Sequence, residues 1–202
     1  MPKKNSSKRK AVIKRKTRET DVMLKLTIDG VGKSKVATGV GFLDHMLTLF
    51  AKHGFFDLEL KAKGDLAVDI HHTNEDIAIS LGEVFQKALG TKKGIRRYGA
   101  AYIPMDDALV RAAIDISNRP YFVISGLHYT DVERDDYYFS DLEHFMQSFA
   151  QHCGINLHMD ILRGNDKHHI IEACFKALAR ALDQASGIDK RERSVPSTKG
   201  VL

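Results

Sequence analysis

The sequence predicts an α+β fold built from two duplicated half-domains. One observation is a repeated motif, since "DIHHTNED" (69–76) and "DKHHIIEA" (166–173) both contain two adjacent histidines followed by a glutamate at the same spacing. A second is an upstream match between "FLDHMLTLFAKHG" (42–54) and "DLEHFMQSFAQHCG" (141–154). A third is the segment between these matches, which in each half alternates polar and apolar residues and ends in Gly and Asp. Such colinear matches indicate a duplication.

Each half predicts strands followed by two helices. Apolar residues at helical spacing predict a first helix that stops at Gly54 in one half and, after one inserted residue, Cys153, at Gly154 in the other. The HHxxE motif begins the second helix. Its apolar face is formed by Ile77, Leu81 and Val84 in one half and by Ile171, Phe175 and Leu178 in the other. Strand-like segments, "AVIKRKTRETDVMLKLTID" and "AAIDISNRPYFVISGL", precede the two helix pairs.

These patterns define the expected organisation of the 202 residues. A disordered basic arm covers residues 1–10, and a single domain covers 11–202. Within that domain we expect two repeats, at about 11–95 and 96–190, and a C-terminal substrate-binding segment at 191–202.

The net charge of +5 depends on the N-terminus, because the first 18 residues hold nine Lys and Arg and no acid. The arm is therefore either a nucleic-acid or anion-binding tail or a solvated terminus. We favour the latter because no RNA-binding aromatic motif accompanies it. No apolar run is long enough to span a membrane, and no secretory signal precedes the domain. With only two cysteines, we expect a cytoplasmic protein without membrane or nucleic-acid partners.

The HHxxE motifs predict metal binding. A histidine and a glutamate four residues apart lie on one face of a helix and can hold one ion together. The neighbouring histidine of each pair points about 100° away and should serve a second ion. If a histidine from the preceding helix of the opposite half completes each set, two metals share eight ligands: His45, His71, His72, Glu75, His144, His168, His169 and Glu172. Imidazole and carboxylate ligands without thiolate suit Mn, Fe, Ni, Co or Zn.

A buried histidine is more often a hydrogen-bonded core residue than a ligand, and the duplication is what favours metal here. His53 and His152 also match across the repeat, but each lies at a helix end, where a histidine is favourable for other reasons. His128 and His158 have no counterparts and are assigned structural roles.

Several of these segments together resemble the imidazoleglycerol-phosphate dehydratase family of histidine biosynthesis: "GFLDHML", "DIHHTNEDIAISLG", "RYG", "MDDAL", "DISNRPY", "NDKHHIIEACFKALARAL" and "PSTKG". The resemblance runs from about Arg15 to Leu202. It implies four helices packed between two four-stranded sheets, 24 subunits with sites shared between them, and two manganese ions per active site. It also implies that His45, His72, His168 and Glu172 hold one ion and that His71, Glu75, His144 and His169 hold the other.

The resemblance implies that imidazoleglycerol phosphate loses water to give imidazole acetol phosphate. The hydrogen to be removed has no adjacent carbonyl, so a substrate ring held as imidazolate between two metals would have to expel the neighbouring hydroxyl. A general base must take the carbon-bound proton. Glu19 in "TRET" is the first candidate and Glu172 a second, while Asp106 and Asp107 are candidates for hydroxyl contacts or for support of the metal ligands.

The substrate phosphate requires cations and hydroxyl or backbone donors. The resemblance assigns this role to Arg97, Arg119, Ser197 and Lys199, and it adds Thr198 and His53 to the substrate-binding set. Taken singly, each of the first four residues would be interpreted as an ordinary surface residue.

Two other functions fit part of the pattern. A di-metal hydrolase would favour bridging carboxylates, whereas six of the eight proposed ligands are histidines. A metal-storing or assembly-forming protein would explain the histidines but not Arg97, Arg119 and Lys199 together.

Overall fold

The computed structural model describes residues 9–126 and 137–202. Its two halves repeat one order of elements. The first contains β1 (Lys10–Lys16), β2 (Thr20–Thr27), β3 (Ser34–Ala37), α1 (Gly41–His53), β4 (Asp57–Gly64) and α2 (His71–Leu89). The second contains β5 (Tyr98–Met105), β6 (Ala108–Asp115), β7 (Tyr121–Ser125), α3 (Phe139–Cys153), β8 (Asn156–Arg163) and α4 (Lys167–Ser186).

The two sheets have the same topology. The strand orders are β1-β2-β4-β3 and β5-β6-β8-β7. In this order, the first three strands of each sheet pair antiparallel with their neighbours, and the fourth strand pairs in parallel with the third. The chain is therefore an α+β fold with four helices and two four-stranded sheets, which confirms the predicted fold class.

The helices form a layer between the sheets. Helix α2 packs on β1 and β2, and α4 packs on β5 and β6. Across the middle, α1 contacts α4 and α2 contacts α3, so every main helix contact between the halves joins a first helix to a second one. This crossed pairing brings the predicted ligands of one half beside those of the other.

Apolar side chains on the predicted helix faces fill the space between the sheets. Leu43 and Phe50 of α1 and Ile77 of α2 are fully buried. Phenylalanine pairs extend the core into both halves, with ring centroids 5.2 Å apart for Phe50 and Phe56. Burying a side chain of this size contributes about 1.5–3 kcal/mol. The apolar helix faces predicted from the spacing are thus the faces that pack in the core.

The matching glycines end their helices differently. Gly54 follows α1 in a right-handed conformation, whereas Gly154 follows α3 with φ of 70°, the left-handed conformation that favours glycine. The inserted Cys153 is buried in the last turn of α3. Gly82 permits the close approach of α2 to this region, since a Cβ there would lie 2.8 Å from backbone atoms of Phe149 and Cys153.

Two strands lack a clear sequence signal. Strand β3 has four residues, two of them Ser and Lys, and β5 contains Gly99, two alanines and Pro104. Both lie at a sheet edge, where the demand for β-branched side chains is weakest and proline is tolerated.

Within residues 9–126 and 137–202, no helix has both the length and the apolar character needed to cross a membrane.

Candidate active site

One cluster of predicted ligands joins α1 to α4. The Nε2 atoms of His45 and His168 each lie 3.3 Å from the same oxygen, Oε2 of Glu172. One ligand atom from each of the three residues falls within 4.8 Å of the others. Both histidines are exposed and Glu172 is buried, so the histidines face solvent and the carboxylate lies beneath them. This geometry suits a cation with further positions open.

A lysine supports that carboxylate. Lys176, one turn along α4, places Nζ 2.5 Å from Oε1 of Glu172. Burial alone would raise the pKa of Glu172, but the hydrogen bond and charge of Lys176, together with His45, lower this pKa below its usual range. Glu172 is therefore an anion with one oxygen held by Lys176 and the other turned toward the histidines. The sequence analysis did not identify Lys176, although its spacing from Glu172 is the one that allows such a pair.

The second cluster joins α2 to α3 in a more open arrangement. The rings of His71 and His144 lie edge to face with centroids 5.0 Å apart. Together with Glu75 and His152 they line a cleft of about 510 Å³. Glu75 is exposed and makes no hydrogen bond or ion pair with the described part of the chain. The cleft is polar and accessible, as a site for a charged ligand requires.

The remaining two predicted ligands lie outside both clusters, and each is held by an aspartate. Nδ1 of His72 lies 3.0 Å from Asp65, and Nδ1 of His169 lies 2.7 Å from Asp107. These hydrogen bonds raise the pKa values of the two histidines. A histidine whose Nδ1 donates to a carboxylate keeps Nε2 free to bind a metal. Asp107 was predicted, with Asp106, as a candidate for hydroxyl contacts or for support of the metal ligands, and it lies within hydrogen-bond distance of one predicted ligand.

Asp65 was missed because its role depends on the path of the chain between β4 and α2. Gly64 before it packs so closely on Thr73 of α2 that any Cβ would collide with the threonine hydroxyl. That close approach places Asp65 beside His72.

Two hairpin turns each place an acidic residue near His72 or His169, which we call the outer histidines. Glu19, exposed in the β1–β2 turn, has Oε2 3.8 Å from Nδ1 of His72. Asp106, in the β5–β6 turn, has Oδ2 3.5 Å from Nε2 of His169. Asp106 also has a left-handed backbone, with φ of 46°. Each half therefore places a hairpin carboxylate beside its HHxxE histidine that belongs to neither cluster, Glu19 beside His72 and Asp106 beside His169.

Of the predicted phosphate-binding residues outside the C-terminal segment, Arg97 contacts that segment directly. Arg97 forms a two-point ion pair with Asp115, at 2.7 and 3.1 Å, and donates to the carbonyl of Pro196 at 2.9 Å. Its backbone is left-handed, with φ of 73°. Arg97 thus fixes the terminal segment, and its guanidinium is largely engaged. Arg119 is exposed after β6, and its guanidinium reaches the carbonyl of Ser117 at 3.4 Å.

The terminal segment forms a compact turn. The backbone N–H of Lys199 donates to Oγ of Ser197 at 3.2 Å, and Gly200 donates to the Ser197 carbonyl at 2.9 Å. The side chains of Thr198 and Lys199 are exposed. Lys199 is therefore available to an anionic ligand.

Arg97 lies far from the first cluster of predicted metal ligands in the same chain. The N–H of Arg97 donates to the carbonyl of Ala185 near the C-terminus of α4, whereas His168 lies at its N-terminus. At a rise of about 1.5 Å per residue, these two points on α4 are about 25 Å apart.

The second cluster is similarly distant. Gln86, late in α2, donates to Asn118 beside Arg119, and His71 lies at the start of the same helix. The separation along α2 is about 22 Å. The predicted metal ligands of one chain are thus distant from its own Arg97 and Arg119.

The other predicted histidines have identifiable surroundings. Arg180 donates to the carbonyl of His53 at 3.2 Å. Burial, followed by the charges of Lys176 and Arg180, lowers the pKa of His53. His158 lies on the outer face of the second sheet, its ring centroid 5.9 Å from that of Tyr121. His128 lies outside the described residues.

Comparison with known proteins identifies the family of this chain. A family model described as imidazoleglycerol-phosphate dehydratase matches residues 38–182. Imidazoleglycerol-phosphate dehydratase of Thermoanaerobacter pseudethanolicus is 55% identical over 194 residues, covering 96% of this chain and 100% of that protein. The protein of the same name from Pelobacter propionicus is 53% identical over 194 residues, covering 96% and 99%.

Solved structures show the same fold. The crystal structure of imidazoleglycerol-phosphate dehydratase from Staphylococcus aureus is similar with a TM-score of 0.78 and 36% identity, covering 89% of this chain and 99% of that one. That of the enzyme from Pyrococcus furiosus has a TM-score of 0.81 and 38% identity, covering 94% and 100%. The chain belongs to the imidazoleglycerol-phosphate dehydratase family.

Proposed function

We propose that this protein dehydrates imidazoleglycerol phosphate to imidazole acetol phosphate in histidine biosynthesis, using two manganese ions per active site. The observation that carries the proposal is the convergence of His45, His168 and Glu172 within 4.8 Å in a member of this family. Six imidazoles and two carboxylates suit manganese among other divalent metals.

The donor set fits two ions. His45, His168 and Glu172 would hold one, and His71, Glu75 and His144 the other. His72 and His169 would each complete the set of a neighbouring subunit, because neither lies in a cluster of its own chain. Asp65 and Asp107 orient them by accepting a hydrogen bond from Nδ1–H. When bound, the two metals would supply Lewis-acid stabilisation of negative charge on the substrate's imidazole.

Glu19 is the better placed general base. Its carboxylate is exposed beside His72, so it is accessible to a bound substrate. Glu172, the second candidate, has one oxygen held by Lys176 and the other turned toward two histidines. A carboxylate engaged at both oxygens is a poor proton acceptor. We therefore assign the proton transfer to Glu19 and a ligand role to Glu172.

The site is proposed to be shared between subunits. Metal ligands and phosphate-binding cations lie about 25 Å apart along α4, which is too far for one small substrate to reach both. In a symmetric oligomer, Arg119, Ser197, Thr198 and Lys199 of one chain can approach the metal cluster of another. A 24-subunit assembly is the form we propose. The two buried, free cysteines suit the reducing cytoplasm.

The alternatives account for less. A bridging-hydroxide hydrolase needs carboxylates between its metals, but only Glu75 and Glu172 are available in the clusters, and they lie on different helices. A metal store would not need Glu19 beside a ligand histidine or an exposed lysine in a compact terminal turn.

The decisive experiment is an assay of imidazoleglycerol phosphate dehydration by the metal-free protein with and without added Mn²⁺. We expect product to form only with the metal, at two ions per subunit at saturation. Full activity with one ion per subunit would contradict the two-metal proposal. No dehydration at any metal loading would contradict the function itself.

A further inference from the structure

A buried aspartate connects the turn that carries Glu19 to the helix that carries metal ligands. Asp76 is 5% exposed and follows Glu75 in α2. Its Oδ1 accepts from Nε of Arg15 at 2.7 Å, and its Oδ2 accepts from the hydroxyl of Thr20. Arg15 and Thr20 belong to the two strands on either side of the turn. Asp76 thus joins both strands of one hairpin to α2.

The turn itself is closed by local hydrogen bonds. Oγ1 of Thr17 accepts from the backbone N–H of Glu19 at 3.1 Å and of Thr20 at 2.9 Å. The N–H of Thr17 donates to the carbonyl of Thr20 at 2.9 Å. A turn tied internally in this way moves as a unit, so a contact at Thr20 sets the place of Glu19.

We infer that Asp76 and Thr20 are positioning residues that hold Glu19 at its distance from His72 and the ligand end of α2. The inference rests on the proposed function, in which Glu19 is the base. Because Asp76 and His72 lie within the first turns of one helix, their separation is fixed, and the Thr20 hydroxyl transmits that position to the turn.

The second half shows that the fold does not require this aspartate. Ala173 occupies the position of Asp76 in the repeat and is buried. The matching β5–β6 turn is held instead by Asp107, whose Oδ2 accepts from the backbone N–H groups of Asn165 and Asp166. A buried ion pair costs desolvation, and apolar residues in place of both partners are often no less stable. Its presence only beside Glu19 points to positioning.

The test is a double-mutant cycle between Thr20→Val and Glu19→Gln, measured with imidazoleglycerol phosphate and saturating Mn²⁺. Val keeps the shape of Thr and removes the hydroxyl, while Asp76 keeps its hydrogen bond from Arg15. We expect Thr20→Val to lower kcat about 10- to 100-fold, since small misplacements cost this much, with KM nearly unchanged. Thr20→Ser, which keeps the hydroxyl, should restore kcat. In the Glu19→Gln background, Thr20→Val should cost less than about twofold.

Lys25→Met is the matched control. Lys25 lies on the same strand, and its ion pair with Glu59 at 2.8 Å is exposed on the outer face of the sheet. Its loss should leave kcat, metal content and melting temperature near those of the parent. If Thr20→Val does not fold, Arg15→Gln removes the other partner of Asp76 and enters the same cycle.

The outcomes separate the two claims. Equal losses from Thr20→Val with and without Glu19→Gln would show a purely structural effect and overturn the inference, as would parental kcat in Thr20→Val. Parental kcat in Glu19→Gln would overturn the role of Glu19 and the inference together. A parent protein without dehydratase activity would overturn the proposed function.

Discussion

The two halves carry the same HHxxE motif in different surroundings. Glu172 of the second half is buried and paired with Lys176, whereas Glu75 of the first half is exposed and lines an open cleft. Ile79 occupies the position in α2 that Lys176 has in α4. The duplication thus preserved the spacing of the ligands but not the environment of the carboxylate. A ligand pattern can repeat while its electrostatics diverge.

The supports of the outer histidines differ in the same way. Asp65, which holds His72, follows strand β4, but Asp107, which holds His169, belongs to the β5–β6 turn. Equivalent histidines thus donate equivalent hydrogen bonds to aspartates on elements that are not equivalent. Supporting residues in a duplicated site must therefore be identified in three dimensions.

The largest expected effect distinguishes the acids of the two hairpin turns. Glu19→Gln should lower kcat about 10²- to 10⁴-fold if Glu19 is the base, with KM little changed. Asp106→Asn removes the matching carboxylate near His169 and should cost at most about 10- to 100-fold, the range for a residue that supports a metal ligand. Steady-state kinetics of both variants at saturating Mn²⁺ provides the measurement. Equal losses in kcat would mean that the turns share the proton transfer.

A second effect distinguishes the two glutamates in the metal-free protein. Glu172→Gln leaves the ammonium of Lys176 partly buried without its anion, which should lower the free energy of unfolding by about 1–3 kcal/mol. Glu75→Gln alters an exposed side chain and should change it little. Urea unfolding at one protein concentration tests both.

The matched control for this second effect is the double substitution Glu172→Gln with Lys176→Met, which removes both charges. It should recover much of the lost stability. If Glu75→Gln were as destabilising as Glu172→Gln, the contrast between the two environments would be wrong.

The smallest effect concerns the outer faces of the sheets and depends on pH. Asp160 accepts from Ser125 at 2.7 Å and from Arg111 at 2.9 Å, and these contacts, Ser125 first, lower its pKa despite partial burial. A lowered pKa in the folded state gives stability that is present above the unfolded pKa and is lost as pH falls through the folded value.

Asp160→Asn should therefore lower the melting temperature at neutral pH, by an amount worth about 1 kcal/mol. The difference from the parent should narrow below about pH 4, the usual range of a free aspartate. Glu59→Gln, which loses only the exposed pair with Lys25 on the first sheet, is the control and should have a smaller effect. A difference for Asp160→Asn that stays constant with pH would contradict the argument.

The sequence predicted what depends on local spacing. Helix periodicity identified all four helices, and the buried positions of Ile77 and Phe175 agree with it. The i, i+4 rule placed His168 and Glu172 on one face of α4. Lys176 lies at the same spacing from Glu172 and could have been found by the same rule.

The sequence did not predict contacts that depend on how distant strands and helices pack together. Asp65 approaches His72, and Asp76 approaches Thr20, only because β1, β2 and β4 pack against α2. The distance between the metal clusters and Arg97 likewise follows from the alignment of β5 along α4. No short-range pattern contains that information.

Mixing two impaired variants tests the shared site, because we propose that each active site combines the metal end of one chain with the phosphate end of another. Glu172→Gln impairs the metal end, and Lys199→Ala removes a phosphate contact. The latter should lower kcat/KM roughly 10- to 150-fold. Both are unfolded together in equal amounts, refolded with Mn²⁺ and assayed at low substrate concentration.

If chains pair at random in a symmetric assembly, about one quarter of the sites combine an intact metal end with an intact phosphate end. Activity should then rise to about one quarter of the parent's, far above either variant refolded alone. If each site lies within a single chain, the mixture would be no more active than the average of the two variants, and the shared site would be contradicted.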